Sequence, residues 1–479
     1  MREISRNIQE NKRYVDERIG VGTSFDVGSR TFSYFGQEVL LYFVNGLCDT
    51  EVIVQLFATV DQTFEEDMAI EKYIRNKLPH QQIETSNKLD EAIDELLSGL
   101  VIIFVENETD CFIIDVRKYP GRQPEEPDTE KVIRGARDGF TENIIENTAL
   151  IRRRLRDEKL RNEIIQVGER SKTDVCISYL DDVADPGLIK LIKKELSNIV
   201  TDGIPMADRA VEEYIMKQGW NPFPLVRYTE RPDVAAVHLL EGHVLIIVDT
   251  SPSIIILPTT YFHHLQHAEE YRETPTVGAY LRWVRVGGIL ASILLLPLWY
   301  LYIIEPDLVP KTIDFIGPNE DSNIPIILQL LIAELGIDLL RMASIHTPTP
   351  LATAMGLIAA VLIGEIAIEV GLFVHEVILY VAVVAIGNYA TPSYELSVAN
   401  KLVRVLLLLL VLAFKLPGLM IGITIVILYL VHVKNLNTPY LWPFIPFHPK
   451  AFLHVLVRTA QPFSSFRPSI VNPQNQKKK

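Results

Sequence analysis

The sequence predicts an α/β cytosolic region of two subdomains, followed by a polytopic α-helical membrane domain. Up to about residue 285, short β-branched runs alternate with amphipathic ones, a pattern typical of α/β domains. From Val286 to Ile304 there is no charged side chain, and a helix of about 20 apolar residues can cross the roughly 30 Å hydrocarbon core of a bilayer. The two α/β subdomains are predicted at residues 1–125 and 126–275. The membrane domain, with four to six spans, is predicted at 276–435, and a basic cytosolic C-terminal tail at 436–479.

Composition narrows the function classes. The chain has 479 residues and a formal net charge of −14, which argues against nucleic-acid binding because that function needs a clustered basic surface. Three cysteines lie far apart, without metal-ligand spacing, and are expected to be buried free thiols. The N-terminus lacks the apolar stretch of a signal peptide. We therefore expect the first half to stay in the cytosol.

The first subdomain begins with a polar helix or arm over residues 1–20. Apolar β-branched runs predict strands at 38–47, 100–106 and 111–117. The turn-prone residues between the last two predict a hairpin. A helix over 90–100 is expected to end at Gly99.

The second subdomain follows a proline-rich linker at 120–131. Helical spacing predicts a helix over 141–157 with Thr141 as its N-cap. Beyond it the patterns predict one further strand and two helices, and then a β-meander of two or three strands over 234–258. The strand is expected at 173–182 and the helices at 186–199 and 208–216.

Six apolar runs define the membrane half. They cover residues 286–304, 324–345, 351–373, 375–390, 396–414 and 416–433. The loop after the first run is acidic and is expected outside, whereas basic residues near the spans are expected inside. These are Arg272, Arg282, Arg285, Lys401, Arg404, Lys434, Lys450 and Arg458. Both ends inside require an even number of crossings, and hydropathy leaves four and six open.

Charged residues inside apolar runs are the main candidates for function. Glu334, Asp338 and Arg341 follow helical spacing and form an intramembrane polar stripe. A charge at the centre of a membrane helix costs about 2.5–3.5 kcal/mol on insertion scales, so such residues should face other helices or water. The stripe is interpreted either as part of an ion pathway or as a structural Asp338–Arg341 ion pair.

The run 351–371 combines small residues with acids. Small residues permit close helix packing, and a ring of such helices could frame a narrow pore. Glu365 and Glu369 would face that pore, or else lie at the membrane surface near a helix end. The predicted pore-lining positions are Ala354, Ile358, Val361, Glu365 and Glu369.

Three other patterns carry weaker signals. His263, His264 and His267 lack the HExxH arrangement of a zinc protease, and a solvated or interfacial histidine cluster is expected. The glycine-rich run 20–29 lacks the ending of a phosphate-binding loop and is expected to be a turn. The basic cluster 152–156 either contacts an anionic partner or forms a solvated helix face. No catalytic, cofactor or metal site is predicted.

Longer motifs resemble a known family. The segment VIRGARDGFTENIIENTALIRRRLRD (132–157) is similar to the RGPREGFTE…N…LIRRR motif of the GerA-type A subunits of spore germinant receptors. The segments 226–272, with ERPD and LLEGHVLIIVDTSP, and 390–404, with ATPSY, resemble further blocks of that family. The resemblance covers most of residues 25–435.

The resemblance implies a cytosolic region of two α/β subdomains and a helical domain in the spore inner membrane. It implies homo-oligomers, with a pentamer as the expected form, around a monovalent-cation channel, working with partner membrane germination proteins. No cofactor is implied. The alternative is a non-conducting scaffold or transporter-type subunit that assembles those partners. Two features depart from the family: Thr250 replaces the usual glycine after Asp249, and Glu365 and Glu369 replace residues that are often uncharged.

Overall fold

The computed structural model describes most of the chain. The described residues are 2–34, 36–63, 70–76, 78, 80, 82–118, 130–308, 310, 315–319, 323–346, 356, 366–458 and 466–478. They form two α/β units, a helical half and a C-terminal segment. We call residues 2–118 unit 1, residues 130–260 unit 2, residues 275–432 the helical half and residues 433–478 the C-terminal segment.

The described residues of unit 1 form one sheet and four α-helices. In chain order they are α1 (Ile8–Ile19), β1 (Val27–Tyr34), β2 (Gln37–Val44), α2 (Thr50–Thr63), α3 (Ile70–Asn76), β3 (Ile83–Ser86), α4 (Leu89–Leu97), β4 (Val101–Val105) and β5 (Cys111–Ile114). The predicted β4–β5 hairpin is confirmed, with Val101 opposite Ile114. The predicted helix end at Gly99 is also confirmed, since this residue has a φ of 100° that favours glycine.

Unit 2 repeats this order of elements. They are α5 (Ile144–Arg154), β6 (Leu160–Val167), β7 (Thr173–Leu180), α6 (Pro186–Ser197), α7 (Ala207–Met216), β8 (Arg227–Thr229), α8 (Pro232–Glu241), β9 (Val244–Val248) and β10 (Ile254–Leu257). The strand orders are β1-β2-β4-β5-β3 and β6-β7-β9-β10-β8, so both sheets have the same topology. All pairs of these strands are antiparallel.

Each sheet is covered by helices on both faces. In unit 1, alternate residues of the central strands point to α1 and α4 on one face and to α2 and α3 on the other. In unit 2, α6 and α7 cover one face, and α5 and α8 the other. The buried strands are therefore apolar at every position, as β4 (VIIFV) and β9 (VLIIV) are.

The same asparagine clamp ties the first turn of the first helix of each unit to the segment before it. In unit 1, Asn11 accepts from the Ser5 amide (2.9 Å) and donates to the Ser5 carbonyl (2.6 Å). In unit 2, Asn147 makes the same two bonds with Thr141, at 2.8 and 2.6 Å. The matching stretches, SRNIQEN and TENIIEN, form an internal sequence repeat that supports the shared topology.

Two predictions for unit 2 are wrong. Residues 234–241, expected as a strand, belong to α8, because Pro232 starts the helix and Gly242 ends it with a φ of 102°. The N-cap of α5 is Asn143 rather than Thr141, since the Asn143 side chain accepts from the Ile145 amide. Thr141 instead belongs to the clamp.

A buried arginine joins the two units. Arg152 donates from Nε to Asp26 of unit 1 at 3.0 Å, and both side chains are 1% exposed. Asn162 also donates to this carboxylate, at 3.0 Å. The expectation that the basic cluster 152–156 forms a solvated face or contacts an anionic partner is therefore wrong for Arg152. The glycine-rich run 20–29 contributes Asp26 to this contact.

In the helical half and the segments around it, the described residues form seven α-helices. They are α9 (Ala268–Arg272), α10 (Pro275–Ile304), α11 (Ile326–His346), α12 (Ala367–Glu369), α13 (His375–Tyr389), α14 (Tyr394–His432) and α15 (Pro449–Leu456). Two short strands, β11 (Lys434–Asn435) and β12 (Thr438–Pro439), pair before α15. Among the described residues, α10 and α14 are long and apolar enough to cross a membrane.

Helix α14 folds back on itself at Lys415. This residue has the non-helical angles φ 55° and ψ −135°. A methyl group added at Gly422 would come within 2.6 Å of Leu407 Cδ2, so the two arms lie side by side. The predicted pair of runs 396–414 and 416–433 is therefore confirmed as a helical hairpin. Glycines also allow α10 and α13 to touch, where Gly288 meets Gly387.

The C-terminal segment is folded against the rest of the chain. Tyr440 is fully buried and donates to the Pro224 carbonyl at 2.8 Å. Near the end, Gln474 donates to the carbonyls of Asp181 and Ala184, at 2.8 and 2.6 Å. Unit 2 thus holds both ends of this segment.

Candidate functional site

The polar stripe of α11 meets the cations of α14 in one buried cluster. Glu334 is 4% exposed, and Arg404 is fully buried. Arg404 donates from Nε and Nη2 to the two carboxylate oxygens of Glu334, at 2.9 and 2.8 Å. This bidentate geometry is the strong form of an arginine–carboxylate pair, and it neutralises both charges in an apolar surrounding.

Lys401 extends the cluster by one helical turn. Its ammonium lies 3.1 Å from Glu334 Oε2 and 2.5 Å from Asp338 Oδ2. The acids are four residues apart on α11, and the cations three apart on α14, so each set lies on one helix face. The two helices therefore meet through paired charges of opposite sign.

Helices α10 and α13 complete the cluster. Arg404 also donates to the Ser292 carbonyl of α10, and it approaches Asn388 Oδ1 of α13 at 3.5 Å. One buried guanidinium thus touches side chains or backbone from three helices besides its own. Removing its carboxylate would leave an uncompensated buried charge, which is strongly destabilising.

Arg341, the third member of the predicted stripe, has different neighbours. Its guanidinium lies 4.3 Å from the ring centroid of Tyr394 and 5.4 Å from that of Tyr389. These are cation–π distances. Asp338 pairs with Lys401 rather than forming the Asp338–Arg341 pair considered above.

Most of the predicted pore-lining positions fall outside the described residues. These are Ala354, Ile358, Val361 and Glu365. Glu369 is described, and it is exposed at the end of α12. The role of this face in conduction stays a prediction.

Sequence reasoning missed the partners of Glu334. Lys401 and Arg404 were expected on the inner side as basic residues near a span, with no partner predicted. Both lie within α14, and Arg404 is fully buried. Arg282, also expected on the inner side, is buried and paired with Glu270 at 2.7 Å. The signal that could have found the cluster was the matching spacing of acids on one apolar helix and cations on another.

Unit 2 holds both ends of the α14 hairpin. At its start, Glu395 lies 3.0 Å from Arg209 of α7. At its end, Tyr429 donates to Asn221 at 2.9 Å, and Asn435 donates to the Thr259 carbonyl at 3.0 Å. Motion of unit 2 would therefore be transmitted to the hairpin.

A second acid lies next to the Arg209–Glu395 pair. Glu212, which is 1% exposed, accepts from Tyr228 Oη at 2.7 Å and from Arg209 at 2.6 Å. Burial raises the pKa of Glu212 to about 7, although Tyr228 and Arg209 oppose the shift. This carboxyl titrates near neutral pH at the contact between unit 2 and the hairpin.

The histidines of the connector are packed rather than fully solvated, since His264 is buried and His263 and His267 are partly buried. The rings of His263 and His243 have centroids 5.4 Å apart, and those of His238 and His243 are 5.0 Å apart. Burial lowers the pKa of His263, and of His264 to about 3, so both are neutral at pH 7. Among the described residues no group of His, Cys, Asp or Glu is arranged to hold a metal ion.

Cysteine chemistry does not add a site to this arrangement. All three cysteines are free thiols, with Cys111 and Cys176 buried and Cys48 half-buried. Burial raises the pKa of Cys111 to about 12, which keeps the thiol protonated and unreactive at neutral pH. This agrees with the expectation of buried free thiols.

Comparison with known proteins places this architecture in a family. The family described as Bacillus/Clostridium GerA spore germination protein matches residues 13–470. The chain belongs to this family. Several of its relatives are named as spore germination proteins, in agreement with the expectation of a non-enzymatic role.

Individual relatives extend the match over nearly the whole chain. This chain is 58% identical to stage V sporulation protein AF of Bacillus subtilis, over 98% of this chain and 96% of that protein. It is 26% identical to spore germination protein KA of the same organism, over 98% of this chain and 87% of that protein. A solved structure, the N-terminal domain of the A subunit of the Bacillus megaterium germinant receptor GerK3, is 25% identical, with a TM-score of 0.39, and covers 53% of this chain and 96% of that domain.

Proposed function

We propose that the chain is a membrane subunit of a spore germination complex in the spore inner membrane. In this proposal its copies assemble, with a pentamer as the expected form, and form or gate a path for monovalent cations together with partner germination proteins. The observation that carries the membrane part is that the ends of the apolar helices alternate between two levels, one beside unit 2 and one far from it.

Helices α10 and α14 define the two levels. Helix α10 starts beside unit 2 and ends at Glu305, which lies 3.5 Å from Lys415 at the turn of α14. Helix α14 starts and ends at unit 2. Each arm of this hairpin is about 25–30 Å long at 1.5 Å per residue, which matches the hydrocarbon core of a bilayer.

Helices α11 and α13 run between the same levels. Near the far level, Gln329 accepts from the Val374 amide at 2.9 Å, and Asn319 donates to Glu376 at 2.7 Å. At the unit 2 level, Arg341 lies over Tyr394. Within residues 347–365 the structure describes only Gly356. The described residues on either side of this segment thus lie at opposite levels. We therefore favour six crossings over four.

The buried charge cluster between α11 and α14 limits where an ion path could lie. The four charges of Glu334, Asp338, Lys401 and Arg404 are paired within one chain. A path for cations would accordingly use another face, and the acidic face 351–369 remains the proposed one. Exposed carboxylates such as Glu369 raise the local cation concentration at a pore mouth.

Cation flux through liposomes tests this proposal. Purified oligomers should pass monovalent cations, Glu369→Gln should lower the flux, and Val361→Ala should cause leak. Asp307→Asn serves as the matched control, because it removes an exposed acid just after α10. Flux equal to that of empty liposomes from folded oligomers would contradict conduction.

The second candidate is a non-conducting scaffold. Two observations favour it: one arginine joins four helices, and unit 2 contacts the hairpin at both ends. Such a chain would be rigid enough to bind partner proteins in fixed positions. Under this alternative, co-purification with partner germination proteins would persist although no flux is seen. Co-purification and flux measured on the same preparation separate the two candidates.

A further inference from the structure

Residues 442–458 expose apolar side chains although they lie outside the long helices. Phe444, Phe447 and Leu453 are 44%, 61% and 59% exposed. They come from α15 and the loop before it. A contiguous apolar surface of this kind marks an interaction site, because water solvates it poorly.

This segment is fixed beside the start of α10. Arg282 donates to the carbonyls of His454 and Val455, at 2.8 and 2.9 Å, and Trp283 donates to the Leu456 carbonyl at 2.8 Å. Arg282 is itself held by the buried Glu270. Helix α15 therefore keeps one position relative to the helix that we propose as the first span.

Aromatic contacts make the exposed surface rigid. Phe444 stacks on Phe262, with ring centroids 5.1 Å apart and an interplanar angle of 11°. Phe452 packs edge-on against Phe444 at 4.7 Å and lies 5.7 Å from Phe447. The rings are thus presented as a preformed surface.

Other exposed aromatic residues lie at the same level. Tyr280 and Trp283, both mostly exposed, belong to the first turns of α10. Trp220, which is fully exposed, precedes Asn221, and Asn221 contacts Tyr429 near the end of α14. Tryptophan and tyrosine are enriched where a bilayer meets water, so this level matches the headgroup layer.

The charge of this region favours an anionic surface. No Asp or Glu follows Glu395 in the sequence, whereas Lys434, Lys450 and Arg458 lie in or next to the segment. Lys450 is exposed in the first turn of α15. Basic residues close to a span gain about 1 kcal/mol each from an anionic leaflet.

We propose that residues 442–458 form an interfacial platform that lies in the headgroup layer of an anionic bilayer. Its rings enter the boundary between headgroups and acyl chains, and Lys450 contacts lipid phosphates. This inference rests on the proposed membrane function, and it adds a second membrane contact outside the spans. The platform lies directly beside the start of α10, the proposed first span, which favours lipid over a second protein as its occupant.

Lipid quenching of a site-specific probe tests this placement. The full chain carrying Cys48→Ala is labelled with an environment-sensitive fluorophore at Phe447→Cys and reconstituted in phosphatidylcholine vesicles with or without phosphatidylglycerol. Val54→Cys, on the exposed face of α2, provides a control in water. Leu409→Cys, exposed on the first arm of α14, provides a control within the proposed span.

We expect quenching by a lipid-borne quencher to be several-fold stronger at position 447 than at position 54. Phosphatidylglycerol should increase it, and Lys450→Glu should cancel that increase, whereas Lys72→Glu on α3 should not. Strong lipid quenching of the probe at 409, together with a water-like probe at 447, would overturn the proposed interfacial platform but not the membrane function. A probe at 447 that is shielded from both lipid and aqueous quenchers would show a protein occupant and would also overturn it. Water-like behaviour at 409 would instead contradict the membrane function itself.

Discussion

Unit 1 and unit 2 share one topology and one asparagine clamp, yet they have different neighbours. Unit 2 contacts the helical half through Arg209 and Asn221. The contacts of unit 1 described above lead to unit 2, through Asp26 and Arg152. The same fold thus serves as an outer unit in one place and as an anchor for the helical half in the other. A few side chains at one edge account for the difference.

The contact between the units gives the largest expected effect. Arg152→Met removes a buried cation and leaves Asp26 unpaired, which should cost about 3–5 kcal/mol of unfolding free energy. Chemical denaturation of the full chain measures this loss. The matched variant Arg153→Met changes the exposed neighbouring residue and should cost less than about 1 kcal/mol. Equal effects of the two variants would show that the units are not joined through Arg152.

The pH dependence should single out unit 2. The folded-state pKa of Glu212, about 7, lies above its ordinary value of 4.5, so the native state binds this proton more tightly than the unfolded state. Stability should therefore fall as pH rises from about 4.5 to 7, by about 3 kcal/mol, and then level off. The groups facing Glu212 are Arg209, Tyr228 and Glu395. Thermal unfolding across this range should lose that slope in Glu212→Gln, and an unchanged slope would assign it to other groups.

The two clamps should be equivalent. Asn11→Ala and Asn147→Ala each remove a buried side chain that makes two backbone hydrogen bonds. Each variant should lose about 1–2 kcal/mol, as followed by denaturation. A large loss in one variant only would mean that the shared topology does not imply shared energetics.

The turns after β4 and β9 give the smallest effect. Asn107 and Thr250 both have a positive φ, of 68° and 71°. Asparagine tolerates this conformation, whereas β-branched threonine does not. Thr250→Gly should thus raise unfolding free energy by about 1 kcal/mol, while Asn107→Gly should change it little. A loss of stability on Thr250→Gly would contradict strain at this turn.

Much of the fold could be predicted from local patterns. The β4–β5 hairpin, α6 and the paired arms of α14 follow from turn residues, amphipathic spacing and apolar runs. Strand β6 (LRNEIIQV) was missed because its exposed and buried residues do not alternate clearly. Helix α8 was mistaken for a strand because its run of apolar residues fits both periods, and only Pro232 and Gly242 decide between them.

The site was only half predictable. Glu334, Asp338 and Arg341 could be identified because these charged residues interrupt an apolar run. The acids' partners Lys401 and Arg404 lie in a helix distant in sequence, and from the sequence alone they serve only as basic residues that mark the inner side of the membrane. Pairing across helices depends on tertiary packing, which a single sequence does not display. The internal repeat of SRNIQEN and TENIIEN is present in the sequence, but only the shared topology of the two sheets shows that it marks two equivalent units.

The described contacts link unit 2, and not unit 1, mechanically to the α14 hairpin. Hydrogen exchange of the full chain in lipid nanodiscs tests this link most directly, by comparing Arg209→Glu, which opposes Glu395 with a like charge, with Arg18→Glu in unit 1. We predict faster amide exchange in the first turns of α14 for Arg209→Glu, recovery in Arg209→Glu/Glu395→Arg, and no change there for Arg18→Glu. Unchanged exchange in Arg209→Glu, or an equal increase in Arg18→Glu, would contradict the account.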